Sequence, residues 1–212
     1  SGIPGAELAE RAAIQVSKFG ARTTVPATAT ALNRQNGHYR LARDDGARLT
    51  APTVVIATGA RYRTLDLRRL EQFEGTSVYY AATQLEATQC RLDPVAVVGG
   101  GNSAGQAAVF LAGHAAKVSV MVRGDGLAQS MSRYLIDRIA ATPNIELVTH
   151  SEIVGLSGTS RGLDSVRWRN RRTGNEASGA IRNVFLFVGA DPATAWLNDC
   201  GITLDKAGFV VT

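Results

Sequence analysis

The stretch Val95-Ala96-Val97-Val98-Gly99-Gly100-Gly101-Asn102-Ser103-Ala104 constrains this chain more than any other. Its apolar start reads as a fully buried strand, its three glycines as a tight turn, and the alanine-rich residues 103–116 as a helix. Together they make a G-x-G-x-x-A fingerprint in the strand–turn–helix setting that it requires. Gly99 permits the turn, Gly101 lets a pyrophosphate approach the backbone, and Ala104 lets the helix lie close on the sheet. Gly100 completes the loop. Asn102 and Ser103 open the helix, whose first N–H groups and partial positive charge suit phosphate. Gly99, Gly100, Gly101, Asn102, Ser103 and Ala104 are therefore expected to bind a dinucleotide.

The chain beyond this helix keeps the same rhythm. Residues 118–122 read as a second strand, 132–141 as a second helix and 145–148 as a third strand. The β-α-β-α-β order predicts a parallel sheet with right-handed crossovers. Residues 152–157 and 163–170 then alternate apolar and polar, with Arg172-Thr173-Gly174 as a turn, which appends an antiparallel meander. Residues 183–188 form one more apolar strand, ending in a turn at Gly189-Ala190-Asp191-Pro192.

The choice of dinucleotide falls about 20 residues beyond the glycines, where an acid at the end of the second strand would bond the ribose 2′-hydroxyl of NAD. This strand ends in Arg123, which matches a 2′-phosphate, so NADP(H) is expected. Asp125, two residues later, is the competing acid. Arg133, at the start of the next helix, is a second candidate charge, or else a solvated helix residue. Residues 91–185 carry 11 Lys+Arg against 7 Asp+Glu, which is +4 of the chain's +5. Arg167, Arg169, Arg171 and Arg172 contribute much of this, as the solvated face of a hairpin.

Upstream, residues 5–19 form an amphipathic helix ended by Gly20. Three short strands punctuated by Asn36-Gly37 and Asp44-Asp45-Gly46 form a β-meander. The apolar run 53–57 predicts a buried strand, and the turn Thr58-Gly59-Ala60 follows it at once. Residues 61–90 read as a connector with a short helix near 81–88. The chain's 212 residues permit one large domain or two small ones. With 45% hydrophobic and 19% charged residues a packed core is expected and wholesale disorder excluded. A charge of +5 over this length gives no nucleic-acid signature. No apolar stretch is long enough for a membrane span. Cys90 and Cys200, with three scattered histidines, provide no metal site and fit a reduced, cytoplasmic setting. The histidines have no carboxylate or cysteine partner at a telling spacing and read as structural or exposed. The start at Ser1, with no Met and no signal peptide, predicts a processed or trimmed piece.

Taken in order, the Ala-Thr-Gly turn, Gly-Gly-Gly-Asn-Ser-Ala, the Arg-bearing second strand and Val-Gly-Ala-Asp-Pro resemble the thioredoxin-reductase-like flavoproteins of the pyridine nucleotide–disulfide oxidoreductase superfamily. The resemblance covers nearly the whole chain. It implies an α/β, three-layer, Rossmann-like FAD/NAD(P)-binding domain with a parallel sheet and appended β-meander, plus part of a second domain of the same type. It assigns residues 1–90 to a partial FAD-binding domain and connector, 91–185 to an NADP(H)-binding domain, and 186–212 to the return into the FAD-binding domain. Thr58, Gly59 and Ala60 match the family's turn near FAD, and Gly189, Ala190 and Asp191 the turn that re-enters the flavin domain. Arg123 matches the first arginine of the family's His-Arg-Arg motif, whose other two positions are here Val122 and Gly124.

Three departures shape the function that this implies. An N-terminal FAD fingerprint and a C-terminal Gly-Asp motif are both absent, so the FAD site is expected to be incomplete and the piece itself inactive. The redox-active Cys-x-x-Cys positions fall on Ala81 and Gln84, so the dithiol relay, which needs an attacking thiolate and a resolving thiol, is missing. The implied function is part of an FAD-dependent, NADPH-oxidising reductase, homodimeric when intact, that passes hydride from nicotinamide to flavin. Its electron acceptor is unknown: a ferredoxin-like protein, a quinone or oxygen. No catalytic side chain is assigned. Two alternatives stand beside it: a non-catalytic NADP(H)-binding sensor or regulatory module, and a disulfide reductase that uses Cys90.

Overall fold

The computed structural model describes residues 3, 5–90, 92–198 and 200–211. The chain divides into two compact units, residues 1–61 with 190–212, and residues 62–189. The expected divides lie at 90/91 and 185/186. The compact units divide elsewhere because residues 78–79 and residues 183–186 both belong to the parallel sheet of the second unit.

The first unit opens with α1 (Gly5–Lys18). Gly20, at φ 73°, ends it: its N–H donates to the Ser17 carbonyl, and that of Ala21 to the Val16 carbonyl. β1 (Ala29–Gln35), β2 (His38–Arg43) and β3 (Arg48–Ala51) follow as the expected antiparallel meander. Gly37 and Gly46 take the left-handed turn positions.

The apolar run 53–57 is not a strand. Val55 is 87% exposed, and Val54 and Ile56 are only half-buried. An apolar run specifies a buried strand only where other strands offer it a ladder and a covering layer; among the described residues it has no strand partner. β4 (Ala60–Tyr62) comes next. Leu32 and Leu197 are the buried hydrophobics of this unit among its described residues.

The second unit has a full core. β5 (Val78–Tyr79) leads to α2 (Gln84–Gln89), then β6 (Pro94–Val98), α3 (Asn102–Leu111), β7 (Lys117–Met121), α4 (Arg133–Ala141) and β8 (Ile145–Val148). β9 (Ser151–Thr159), β10 (Gly162–Asn170) and β11 (Glu176–Gly179) form the antiparallel meander, and β12 (Asn183–Leu186) returns to the sheet. The sheet is parallel throughout, in the order β5-β12-β6-β7-β8.

Alternation along β6 explains the three layers. Val95 and Val97 face one cluster with Ala104, Ala108 and Leu111 of α3 and with Leu135 and Ile139 of α4. Ala96 and Val98 face the other, with Leu156 of β9 and Leu163 and Val166 of β10. Every one of these is buried, so both faces of the sheet are covered as a parallel sheet requires. β13 (Ala190–Pro192) pairs with β4, so the predicted turn at 189–192 narrows to Gly189 and the residues just before it.

Candidate nucleotide-binding site

The strand order puts the site at the carboxyl end of β6. From β6 the chain moves through α3 to β7 on one side, while β12 lies on the other, and a ligand crevice opens where strand order reverses in this way. A cleft of about 580 Å³ lies there, lined by Gly99 and Gly100, Arg123, Ser151, Phe187 and the segment from Arg63.

The three glycines do different work. Gly99, at φ 143°, would set a Cβ 2.4 Å from the Phe187 carbonyl oxygen, so its freedom serves a close backbone approach to the residue just past β12. At Gly101 a Cβ would meet nothing nearer than 4.0 Å, which leaves a cradle open to a ligand. Gly101 also caps α3 without any side chain, and no acidic residue lies in the first turn. The leading N–H groups of Asn102, Ser103 and Ala104 thus point out of a helix end that favours an anion. Ala104 is fully buried against the sheet. The chemistry of this donor set fits a dinucleotide pyrophosphate.

Sequence reasoning missed how the loop is held. Ser130 Oγ donates to the Gly100 carbonyl at 2.9 Å. Asn102 Oδ1 accepts from the backbone N–H of Ser132 at 2.7 Å and from its hydroxyl at 3.0 Å. Asn102 is therefore a tie between the loop and the entry to α4, while its backbone N–H stays at the helix end. Gly105 allows the two helices to approach: a Cβ there would lie 2.8 Å from the Met131 sulfur. A serine 30 positions from its partner leaves no local pattern to read.

Beyond β7, Arg123 is exposed and lines the cleft. Asp125 does not line it; its Oδ1 stands 3.4 Å from His150 Nε2. Spacing along the chain offers His150 no carboxylate partner, and the fold supplies one 25 residues away. Arg133 pairs with Asp137 one turn along α4, with Nε at 2.9 Å, and is not among the cleft residues. Arg167 and Arg169 are both engaged by Glu176, as expected of a solvated hairpin face.

In the first unit, Gly59 takes φ 69° with open space where a side chain would project. Its carbonyl accepts the Ala193 N–H at 3.0 Å, and the Thr58 hydroxyl donates to the Ala193 carbonyl at 2.9 Å. Thr58 is thus a tether as well as a candidate contact. Ala60 begins β4, and Ala190 and Asp191 lie in β13, Asp191 exposed. Gly189, in the second unit, accepts the Arg63 N–H at 3.0 Å.

Ala81 and Gln84 are exposed ahead of and at the start of α2. The helix entry is a capping box in which Thr83 and Glu86 satisfy each other's backbone N–H groups. Next to it, Tyr80 stacks on Tyr62 at 6.0 Å and donates to Glu74; burial and that carboxylate push its phenol up to about 12. Cys90 is wholly buried, and its Sγ donates to the Glu86 carbonyl. Burial, with Asp93 and Glu86 nearby, pushes its thiol up to about 11. Such a thiol is a packing residue, which removes the support for a reductase built on Cys90. Both cysteines are free. Among the described residues no cluster could hold a metal ion and no helix is long and apolar enough to cross a membrane.

The family model described as pyridine nucleotide-disulphide oxidoreductase matches residues 3–212. Thioredoxin reductase from Eremothecium gossypii is 31% identical over 217 aligned positions, covering all of this chain and 66% of that protein. One subunit of the alkyl hydroperoxide reductase of Pseudomonas putida is 30% identical, covering 84% of this chain and 33% of that one. The chain thus spans between a third and two thirds of the length of these curated relatives. Among solved structures, thioredoxin reductase from Streptococcus pyogenes superposes with a TM-score of 0.76 at 30% identity, over 99% of this chain and 67% of that one. The chain of the Lactococcus lactis enzyme gives a TM-score of 0.78 at 26% identity, over 99% and 67%. The fold and the sequence agree: this chain belongs to the pyridine nucleotide-disulphide oxidoreductase family.

Proposed function

We propose that residues 62–189 form the NADPH-binding domain, and the remainder part of the FAD-binding domain, of an NADPH-oxidising flavin oxidoreductase. The observation that carries this reading is the exposed Arg123 in the lining of the same cleft as Gly99 and Gly100, the loop residues that lead directly into the uncapped N-terminus of α3. In this reading the backbone N–H groups of 101–104 hold the pyrophosphate and Arg123 holds the 2′-phosphate. Arg133 joins them only by leaving Asp137. Ser130 and Asn102 keep the loop in place. For the flavin, the matching residues are Thr58, Gly59, Ala60, Gly189, Ala190 and Asp191. The open space over Gly59 and the exposed Asp191 carboxylate suit a hydroxyl-bearing nucleotide. Bound flavin supplies a two-electron acceptor for the hydride of reduced nicotinamide.

This chain's residues bind and orient, and none of them is assigned a proton transfer. Electrons leave by a route other than a dithiol, because Ala81 and Gln84 carry no sulfur and Cys90 is buried. The acceptor, the homodimeric state and a cytoplasmic setting belong to the same proposal. The missing dithiol also favours a second reading, a sensor that binds NADP(H) without turning it over. The experiment that separates them mixes FAD-loaded protein with NADPH in the absence of oxygen and follows the flavin's visible absorbance. Bleaching supports the reductase. Binding without bleaching, and without NADPH consumption by any added acceptor, supports the sensor. Absence of NADPH binding overturns both.

A further inference from the structure

The cleft contains one feature that the fingerprint leaves undecided. Two side chains of opposite charge, Arg123 and Asp125, follow β7 within three positions of each other, and each suits a different nucleotide. Arginine pairs with a 2′-phosphate, whereas a carboxylate accepts from a free 2′-hydroxyl and repels the phosphate. Only Arg123 lines the cleft. Beside Asp125 lies the turn between β8 and β9. His150 sits there at φ 52°, a left-handed conformation uncommon outside glycine. Two bonds lock this turn to the β7 exit: the His150 N–H donates to the Gly124 carbonyl at 3.0 Å, and the Ser151 N–H to the Val122 carbonyl at 2.9 Å. A third, from Arg171 N–H to the His150 carbonyl at 2.6 Å, fixes it from the meander side. The imidazole, 17% exposed, thereby stands with Nε2 3.4 Å from Oδ1 of the Asp125 side chain, which is 89% exposed.

We infer that His150 is a specificity-determining positioning residue: by engaging Asp125 it keeps that carboxylate off the ribose 2′ position and leaves Arg123 to select the phosphorylated nucleotide. This rests on the reading of the cleft as an NADP(H) site. The glycines on either side, Gly124 and Gly126, have open space around them, and among the described residues the contact that the Asp125 side chain makes is the one with His150. The sequence feature behind the choice is therefore a residue of the β8–β9 turn, outside the βαβ unit that carries the fingerprint.

His150→Gly is the informative variant, because glycine accepts the left-handed backbone and keeps the three main-chain bonds while deleting the imidazole. Calorimetric titration of the 212-residue chain with NADPH and NADH gives the ratio of dissociation constants. The expected result is a preference for NADPH that falls about three- to tenfold in His150→Gly. Adding Asp125→Asn to that variant restores the preference, while Asp125→Asn alone leaves it within about twofold of the parent. An unchanged ratio in His150→Gly, or a lowered ratio that Asp125→Asn does not restore, overturns the inference. Equal affinities for the two nucleotides in the parent protein overturn the NADP(H) reading itself, which separates the two failures. Circular dichroism and melting curves of each variant establish that the ratios are read on folded protein.

Discussion

Two segments of this chain carry the same local signal, an apolar run followed at once by a glycine turn. Thr53-Val54-Val55-Ile56-Ala57 precedes Thr58-Gly59, and Val95-Ala96-Val97-Val98 precedes Gly99-Gly100. The second is a central strand with neighbours on both sides, and its residues 95–97 are entirely buried. The first is extended chain with Val55 87% exposed. The glycines differ in the same sense: Gly99 is pressed against the Phe187 carbonyl, and Gly59 faces open space. Periodicity and turn chemistry describe what a segment is suited to. Whether it becomes a strand depends on β7 and β12 being there to pair with it, and the described residues offer 53–57 no such neighbour.

The largest expected contrast is in amide hydrogen exchange. Residues 95–98 should be protected to near the global stability of the second unit, and 54–56 should exchange orders of magnitude faster, since their amides join no ladder. Equal protection would erase the comparison. Next comes alanine at the two glycines. Gly99→Ala combines a backbone clash with a disfavoured φ and should cost about 3 kcal/mol, with loss of nucleotide binding. Gly59→Ala bears only the left-handed penalty, about 1 kcal/mol. Chemical denaturation reads both, and similar costs would contradict the difference drawn between the turns.

The interior of the second unit can be probed through Cys90. With its thiol pushed up to about 11, alkylation of the folded protein should be slow near neutrality. Its rate should rise about tenfold per pH unit toward that value, because only the thiolate reacts. The rates at pH 8 in native and denatured protein make the check. A native rate equal to the denatured one would show an open core and return Cys90 to consideration as a redox residue.

How much of the fold and site is legible in the sequence follows from where the determinants lie. The βαβαβ order, the meander and the glycine loop are local or near-local patterns, and the fold realises them with boundaries shifted by a residue or two, apart from the shorter α3. The parallel pairing of β5 with β12 joins residues about a hundred positions apart, so 62–90 read only as a connector. Distance in sequence likewise hides the ties of Ser130 to Gly100, of Ser132 to Asn102 and of His150 to Asp125. Arg123 could be singled out because the rule for the end of the second strand is local. That Asp125 would have an imidazole beside it could not, since His150 arrives beyond another strand.

The central claim is that the cleft beside Gly99 selects a 2′-phosphorylated dinucleotide through Arg123. Its most direct test is titration of the chain and of Arg123→Ala with NADPH and NADH. The parent should bind NADPH more tightly, and the substitution should remove about 1.5–3 kcal/mol from NADPH binding, the worth of a charge-assisted hydrogen bond, while leaving NADH nearly unchanged. Equal losses for both nucleotides, or no loss for either, would contradict it.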